Sequence, residues 1–255
     1  MQQIADELKY ACDQFDRSDW LRILMSCTGR ASTETAKSKY YQVRSICRLA
    51  RSVAQRYKRN GIRESARYDA QRAADYVISI PDRTRRCVET FRKLSKEKQT
   101  DQVVNLLLTW IIFWASAGGN DMEGGLPDMD LALCISDHRN IVSHTVLLGL
   151  GTEIALRLAV ELLSEVYHRL PEPHSRAWDT SYRFIQRHKN ASICAIWAGI
   201  GLHFLKDASL FADATKPYTG LPVPLPMEAH QALFAANGIA CEATAFAGNK
   251  RDSLD

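Results

Sequence analysis

This sequence lacks the short motifs that identify several large enzyme classes. It has no Gly-x-Ser-x-Gly elbow, no phosphate-binding P-loop and no dinucleotide fingerprint, so nothing in it indicates a serine hydrolase, a P-loop nucleotidase or a nicotinamide-dependent enzyme. Zinc-ribbon cysteine pairs are also absent. An HD-type phosphohydrolase needs adjacent His-Asp, whereas Asp137-His138 stands in the reverse order. Any chemistry must therefore rest on another arrangement of side chains.

The sequence also lacks an apolar run as long as a membrane-spanning helix. The most apolar segment, 103–117, has 15 residues, whereas a spanning helix needs roughly 20. The apolar segments 141–163 and 191–212 contain charged residues such as Glu153 and Lys206, which are costly at the centre of a bilayer. The first residues lack the basic start and apolar run of a secretory signal. We predict a cytoplasmic protein, and peripheral attachment at the inner face of the membrane stays open.

The cysteines show no disulfide pattern. There are seven, an odd number, and no two form a CxxC pair. Scattered cysteines of this kind favour free thiols in a reducing compartment. The cysteine pattern therefore agrees with an intracellular protein.

Strand-like alternation is missing as well, and helical spacing dominates. Ile4, Leu8, Cys12 and Phe15, for example, recur at intervals of three or four residues. The sequence therefore predicts an all-α fold, a multi-helix protein with loops between the helices. We expect helix breaks near Ser32-Thr33, Asn60-Gly61 and Pro81. Further helices are predicted over 100–117, 141–169, 175–188, 191–212 and 227–237, with irregular segments over 118–130 and 214–226.

Charge is distributed unevenly along the chain. Residues 1–100 contain 22 Lys/Arg and 12 Asp/Glu, a net charge of +10, whereas residues 101–255 contain 11 and 17, a net charge of −6. This asymmetry indicates two surfaces with different tasks. We predict a basic helical region over 1–100, a second helical domain over 101–247 and a polar tail over 248–255.

Carboxylates and imidazoles cluster in short segments of the second domain. The segments are Leu126-Pro-Asp-Met-Asp130, Asp137-His-Arg139 with His144, and His203-Phe-Leu-Lys-Asp207. His203 and Asp207 are four apart and share one face of a helix. Pro127 makes its segment non-helical, so Asp128 and Asp130 project to one side if the backbone is extended. We expect His138 to precede a helix and His144 to lie in its first turns, with Asn140 or Ser143 as the cap.

These side chains make a sensible set of ligands for a divalent cation. Mixed imidazole and carboxylate ligands suit Zn²⁺, Mn²⁺ or Fe²⁺ better than Mg²⁺. Such a centre lowers the pKa of a water toward neutrality, which favours attack on an ester or a phosphoester. Arg139 is placed to steady an anionic substrate, which suggests a small-molecule or lipid substrate with a negative charge.

The order of these motifs resembles the YdjM-type family of metal-dependent hydrolases, which has LPDIDH-like, HRGxTHS-like and SHxxxD-like motifs. The resemblance covers residues 120–226, although Asn140 stands where the family has glycine. It implies a metal-dependent hydrolase-like domain over 101–247 and association with the inner membrane. The residues that it implicates are Asp128, Asp130, His138, Arg139, His144, His203 and Asp207. Of these, we expect the metal ligands to be Asp128, Asp130, His144, His203 and Asp207. We expect His138 to be a further ligand or the general acid/base, and Arg139 to orient the substrate.

Each motif has a simpler interpretation when taken alone. The Leu-Pro-Asp-Met-Asp segment suits a helix-capping loop, and a lone His203 on an apolar face suits a hydrogen-bonded core histidine. The other histidines lie near predicted helix ends or in polar surroundings, so we expect them at the surface. They are His168, His174, His188 and His230.

A non-enzymatic function is the alternative. Arginines and lysines between residues 40 and 98, interleaved with Tyr40, Tyr41 and Tyr57, suit contacts with the phosphates of a nucleic acid. The same residues suit an anionic membrane surface. A solvated helix face also has this pattern.

Overall fold

The computed structural model describes residues 2–120, 122, 124–129, 139–209, 217–221 and 223–249. Within these residues the chain forms eight α-helices and no β-strand, which confirms the all-α prediction. The helices are α1 (Gln2–Asp13), α2 (Arg17–Asn60), α3 (Ile62–Ile78), α4 (Ile80–Lys93), α5 (Lys96–Ala117), α6 (Val146–Tyr167), α7 (Arg176–Asp207) and α8 (Met227–Asn249).

The helices form two compact units. The large unit comprises residues 1–40 and 108–255, and the basic unit comprises residues 41–107. The domain boundary predicted between residues 100 and 101 rests on the distribution of charge and separates two predicted tasks. It stays a prediction.

The basic unit has little interior of its own. Gln42 and Ser65 are its only buried residues, and residues 41–107 are all described. Gly61, at a φ of 79°, separates α2 from α3 at the predicted break. Arg56 pairs with Asp69 at 2.5 Å, and the Tyr57 hydroxyl donates to the same carboxylate at 3.0 Å. These contacts hold α2 and α3 together, while most side chains of the unit remain exposed.

The predicted break at Ser32-Thr33 is wrong, because α2 continues through it. Cys27, Ala31 and Thr35 are spaced four residues apart and are all buried. Burial of this stripe favours the helix more strongly than the modest helix propensity of serine and threonine opposes it.

The core of the large unit lies along α7 and α8. Ile200 and Phe204 of α7 and Phe234 of α8 are fully buried there. Helix α7 is continuous from Arg176 to Asp207, so the two helices predicted over 175–188 and 191–212 are one.

A glycine brings the end of α5 against α7. A Cβ at Gly199 would lie 2.4 Å from the carbonyl oxygen of Phe113 and 3.1 Å from the amide nitrogen of Ala117. Only glycine therefore allows this approach. His203 is one helical turn beyond Gly199 and so faces the same end of α5.

Among the described residues, no helix is both long and apolar enough to cross a membrane. The apolar segment of α5 ends at Ala117, where the chain turns into the loop that carries the first candidate ligand.

Candidate metal centre

Asp128 is positioned by a tight loop after α5. Gly118, Gly124 and Gly125 all have positive φ values, which favour glycine. The amide of Leu126 donates to the carbonyl oxygen of Ser116 at 3.3 Å, which returns the chain to the end of α5. The amide of Gly124 then donates to Asp128 Oδ2 at 2.6 Å. This hydrogen bond orients the buried carboxyl group so that Oδ1 faces the interior.

His144 lies in a turn just before α6. Asn140 Oδ1 accepts from the amides of Val142 and Ser143 at 2.9 and 3.0 Å, and Thr145 caps α6. The prediction that His144 lies in the first turns of the helix is therefore wrong, as is the predicted cap. The asparagine side chain stabilises a turn that competes with the helix.

A hydrogen bond orients the ring of His144. The hydroxyl of Ser143 lies 2.9 Å from His144 Nδ1 and 3.3 Å from the carbonyl oxygen of Asn140. A hydroxyl both donates and accepts, so the bond to Nδ1 holds the ring in either tautomer. The other ring nitrogen, Nε2, faces Asp128.

His203 has the same arrangement on α7. Its Nδ1 lies 3.0 Å from the carbonyl oxygen of Ala117, the last residue of α5. A carbonyl oxygen only accepts, so Nδ1 carries a hydrogen and Nε2 is the coordinating atom of the neutral ring. Such a bond to the second ring nitrogen is the usual support of a metal-binding histidine.

Three ligand atoms converge in this interior. Asp128 Oδ1 lies 3.3 Å from His144 Nε2 and 3.7 Å from His203 Nε2. Asp128, His144 and His203 are all buried, and their ligand atoms lie within 4.8 Å of one another. This group could hold a metal ion. Two imidazoles with a carboxylate are a ligand set that transition metals accept.

Asp207 and Arg139 flank the group. Asp207 Oδ2 lies 3.5 Å from His203 Nε2 and 3.9 Å from His144 Nε2. Arg139 Nε lies 3.8 Å from the same carboxylate oxygen, and its side chain is 12% exposed. Arg139 also has a φ of 65°, a left-handed conformation that is uncommon outside glycine and often marks functional sites.

Neighbouring charges shift the pKa values of His203 and Asp207, and each shift favours the charged form. Burial disfavours the charged form of His203, but the hydrogen bond and charge of Asp207, together with the charge of Asp128, raise the pKa of His203 above its usual value. Burial likewise opposes ionisation of Asp207, yet His203 and the charge of Arg139 lower the pKa of Asp207. A metal cation would therefore compete with a proton on His203.

Residues that were not predicted hold the centre together. The buried hydroxyl of Tyr218 donates to the carbonyl oxygen of His144 at 2.6 Å. The amide of Thr219 donates to the carbonyl oxygen of Arg139 at 3.2 Å. Burial, followed by the charge of Asp207, raises the pKa of Tyr218, so the phenol stays a donor. No sequence signal beyond the aromatic residue within a proline-rich segment pointed to Tyr218.

His230 also differs from expectation, because it is buried, not at the surface. Its Nδ1 accepts from the amide of Tyr218 at 3.1 Å. His188 is likewise buried, so the surface prediction is wrong for both histidines. His230 supports the segment that holds His144 in place.

The structure brings together five of the seven predicted site residues. Asp128, Arg139, His144, His203 and Asp207 meet within one buried region. Asp130 and His138 lie outside the described residues, so their predicted roles stay predictions.

Comparisons with known proteins identify no relative. No family model matches the chain, and neither the curated proteins nor the solved structures gave a match.

Proposed function

We propose that this protein is a metal-dependent hydrolase that acts on a phosphoester, with a lipid-type or nucleotide-type substrate. The observation that carries the proposal is the buried convergence of Asp128 Oδ1, His144 Nε2 and His203 Nε2. The second ring nitrogens of both histidines are hydrogen-bonded, as is usual for metal-binding histidines. The resemblance of the motifs to the YdjM-type hydrolases supports the same assignment.

The ligand set favours Zn²⁺, Mn²⁺ or Fe²⁺. Asp128, His144 and His203 hold the cation, and Asp207 is the fourth ligand from the protein. A divalent cation there would polarise a phosphoester oxygen and lower the pKa of a water. Mg²⁺ is a weaker candidate, because it prefers oxygen ligands and binds imidazole poorly.

Arg139 orients the anionic substrate. Its guanidinium group lies beside Asp207 and is mostly buried, so it makes stronger charge interactions than an exposed arginine would. It binds phosphoryl oxygens and stabilises the charge that develops on them. His138 as general acid/base and Asp130 as a further ligand remain part of the proposal.

Hydrolysis of model esters tests this function. The full chain is treated with a chelator, reloaded with Zn²⁺, Mn²⁺ or Fe²⁺, and assayed with p-nitrophenyl phosphate and bis(p-nitrophenyl) phosphate. We expect turnover that chelation abolishes, that reloading restores and that Asp128→Asn removes. Arg139→Gln should bind metal normally but lose about 100-fold in kcat/KM. A metal-loaded protein that hydrolyses neither ester would contradict the proposal.

A second candidate function rests on the basic unit. Residues 41–107 contain 16 Lys/Arg and 7 Asp/Glu, a net charge of +9. Large apolar side chains are exposed beside these charges, including Leu49 at 67% and Ile62 at 77%. Exposed apolar surface with a net positive charge suits an anionic partner, either a nucleic acid or an anionic membrane.

Salt-dependent binding tests the second candidate. Fluorescence anisotropy with DNA and RNA, and sedimentation with anionic and neutral vesicles, are measured with the natural chain and with Arg48→Glu/Arg51→Glu/Arg59→Glu. The control carries the same charge changes at Lys9, Arg22 and Arg176, which are exposed in the large unit. Binding that the first variant loses and the control retains would support this function, and equal loss in both would contradict it.

A further inference from the structure

A cavity in the large unit, separate from the metal centre, has the properties of an anion site. It lies between α2, α6 and α7 and has a volume of about 650 Å³. This volume is typical of small-molecule pockets. Lys189 of α7 lines the cavity. Lys189 precedes His203 by 14 residues on the same helix, which corresponds to about 21 Å along the helix axis. The cavity is therefore not part of the proposed metal site.

The polar wall of the cavity is positively charged. Four cationic and two acidic side chains line it, a formal charge of 4 − 2 = +2. They are Arg30, Lys37, Arg157 and Lys189, with Glu34 and Glu161. Lys189 donates to Gln186 at 3.0 Å and has no carboxylate partner among the described residues. Lys37 pairs with Glu34 at 3.4 Å, so Lys189 is the cation of this wall that no carboxylate among the described residues neutralises.

Two of the cations are held in place by other side chains. Arg157 donates to Glu153 through Nε and an amino group, at 3.1 and 3.0 Å, and Glu153 is fully buried. Arg30 pairs with Glu161 and Glu165, each at 2.7 Å. A ligand that meets these guanidinium groups does not have to order them first, which lowers the entropic cost of binding.

The floor of the cavity is apolar. Val160 and Ile193 are buried, and Leu156 is partly exposed beside them. Gly29 also lines the cavity, and a Cβ added there meets no atom within 4 Å. The cavity therefore has free space beside Gly29, next to the charged side chain of Arg30.

We propose that this cavity binds a phosphomonoester dianion that carries a small apolar group. The phosphate group pairs with Lys189, and the guanidinium groups of Arg30 and Arg157 line the same wall. The apolar group covers Leu156, Val160 and Ile193. Such an anion has two sources, a free organic phosphate or the headgroup of a phosphatidic acid, and the two share the chemistry that this site recognises. The proposal does not depend on the metal centre.

Calorimetric titration of the full chain tests the proposal with three probes: phenyl phosphate, dihexanoyl phosphatidic acid and inorganic phosphate. We expect phenyl phosphate to bind at least about tenfold more tightly than inorganic phosphate, a difference of about 1.4 kcal/mol. Tighter binding of the phosphatidic acid would identify a lipid source, and equal or weaker binding would identify a free organic phosphate. Equal binding of phenyl phosphate and inorganic phosphate would overturn the proposal.

Gly29→Leu fills the cavity without removing a charge and should weaken phenyl phosphate binding by more than about tenfold. Gly151→Leu is the matched control, because it is also an open helical position and it does not line the cavity. Both changes should raise thermal stability, since leucine has a higher helix propensity than glycine. That rise shows that a loss of binding in Gly29→Leu is not a loss of folding.

Lys189→Gln should weaken binding severalfold, with Lys9→Gln as its control. The titrations are repeated with chelated protein and with Asp128→Asn. Binding that survives Gly29→Leu, or that disappears with the metal or with Asp128→Asn, would move the anion to the metal centre and overturn the proposal. No binding of phenyl phosphate up to about 10 mM would overturn it as well.

Discussion

Nδ1 of His203 lies 3.0 Å from the carbonyl oxygen of Ala117, although the two residues are 86 positions apart. This bond joins the end of α5 to α7 and directs Nε2 of His203 toward Asp128 and Asp207. Gly199, one turn earlier, allows the two helices to approach. A packing contact between two helices therefore sets the orientation of a candidate metal ligand.

The serine beside His144 should affect metal affinity without contacting the metal. Ser143→Ala removes the oxygen that lies 2.9 Å from His144 Nδ1, so the ring loses its fixed orientation. We expect metal affinity to fall by about 10- to 100-fold, measured by competition with a chromophoric chelator. Ser192→Ala, which removes a buried hydroxyl that donates to the backbone carbonyl oxygen of His188 on α7, is the control. Equal affinity in the two variants would contradict the orienting role.

The loop that carries Asp128 should tolerate alanine at one glycine and not at its neighbour. A Cβ at Gly125 would lie 2.5 Å from the amide nitrogen of Gly118, whereas a Cβ at Gly124 meets no atom within 4 Å. Both have positive φ, so each alanine costs about 1–2 kcal/mol from conformation alone. Gly125→Ala must also move the loop, and we expect it alone to weaken metal binding. Urea unfolding and metal titration measure the two effects, and equal metal affinity in both variants would contradict this account.

The fully buried Glu153 should contribute strongly to stability. Its carboxylate lies 2.7 Å from Lys39 Nζ and accepts from Trp197 Nε1 at 2.7 Å and from Arg157. Glu153→Gln leaves two cations without their counter-charge, so we expect the free energy of unfolding to fall by about 3 kcal/mol. The partly exposed Glu161, a partner of Arg30, provides the control. Glu161→Gln should cost less than about 1 kcal/mol, and similar losses in both would contradict the prediction.

The ion pair between His174 and Asp179, at 3.0 Å, should make stability depend on pH. The hydrogen bond to Asp179 raises the pKa of His174 above its ordinary value of about 6.5. Hydrogen bonds from Tyr167 and His174 lower the pKa of Asp179 below its ordinary value of about 3.8. The contribution of His174 is complete below pH 6.5 and is lost as the pH rises through its folded-state pKa. That of Asp179 is complete above pH 3.8 and is lost as the pH falls.

His174→Gln should therefore reduce stability more near pH 5.5 than near pH 8. Urea unfolding of both proteins at the two pH values measures the difference. A difference that is equal at the two pH values, or larger at the higher one, would contradict the assignment.

Much of the fold could be predicted from the spacing of apolar residues. The start of α8 at Met227 and the end of α5 at Ala117 were both predicted. Sequence reasoning placed a break at Ser32-Thr33 because a new helix was expected to begin at Glu34, while burial of Ala31 and Thr35 maintains the helix. Contacts between distant segments decide such cases, and a local pattern does not contain them.

The sequence indicated the candidate ligands of this site, but not the residues that hold them in position. Asp128, His144, His203 and Asp207 were recognisable because carboxylates and imidazoles recur beside apolar helices. The carbonyl of Ala117 and the hydroxyl of Tyr218 were not, since any residue has a carbonyl and a tyrosine is common in a core. Their roles depend on which segments the fold brings together.

The metal content of the purified protein tests the central claim most directly. Elemental mass spectrometry is applied to the natural chain, His144→Ala, His203→Ala/Asp207→Ala and the control His174→Ala, which removes an imidazole elsewhere in the large unit. We expect about one Zn²⁺, Mn²⁺ or Fe²⁺ per chain in the natural protein and in the control, and almost none in the other two. A natural protein that stays folded and metal-free after incubation with each of these ions would contradict the account.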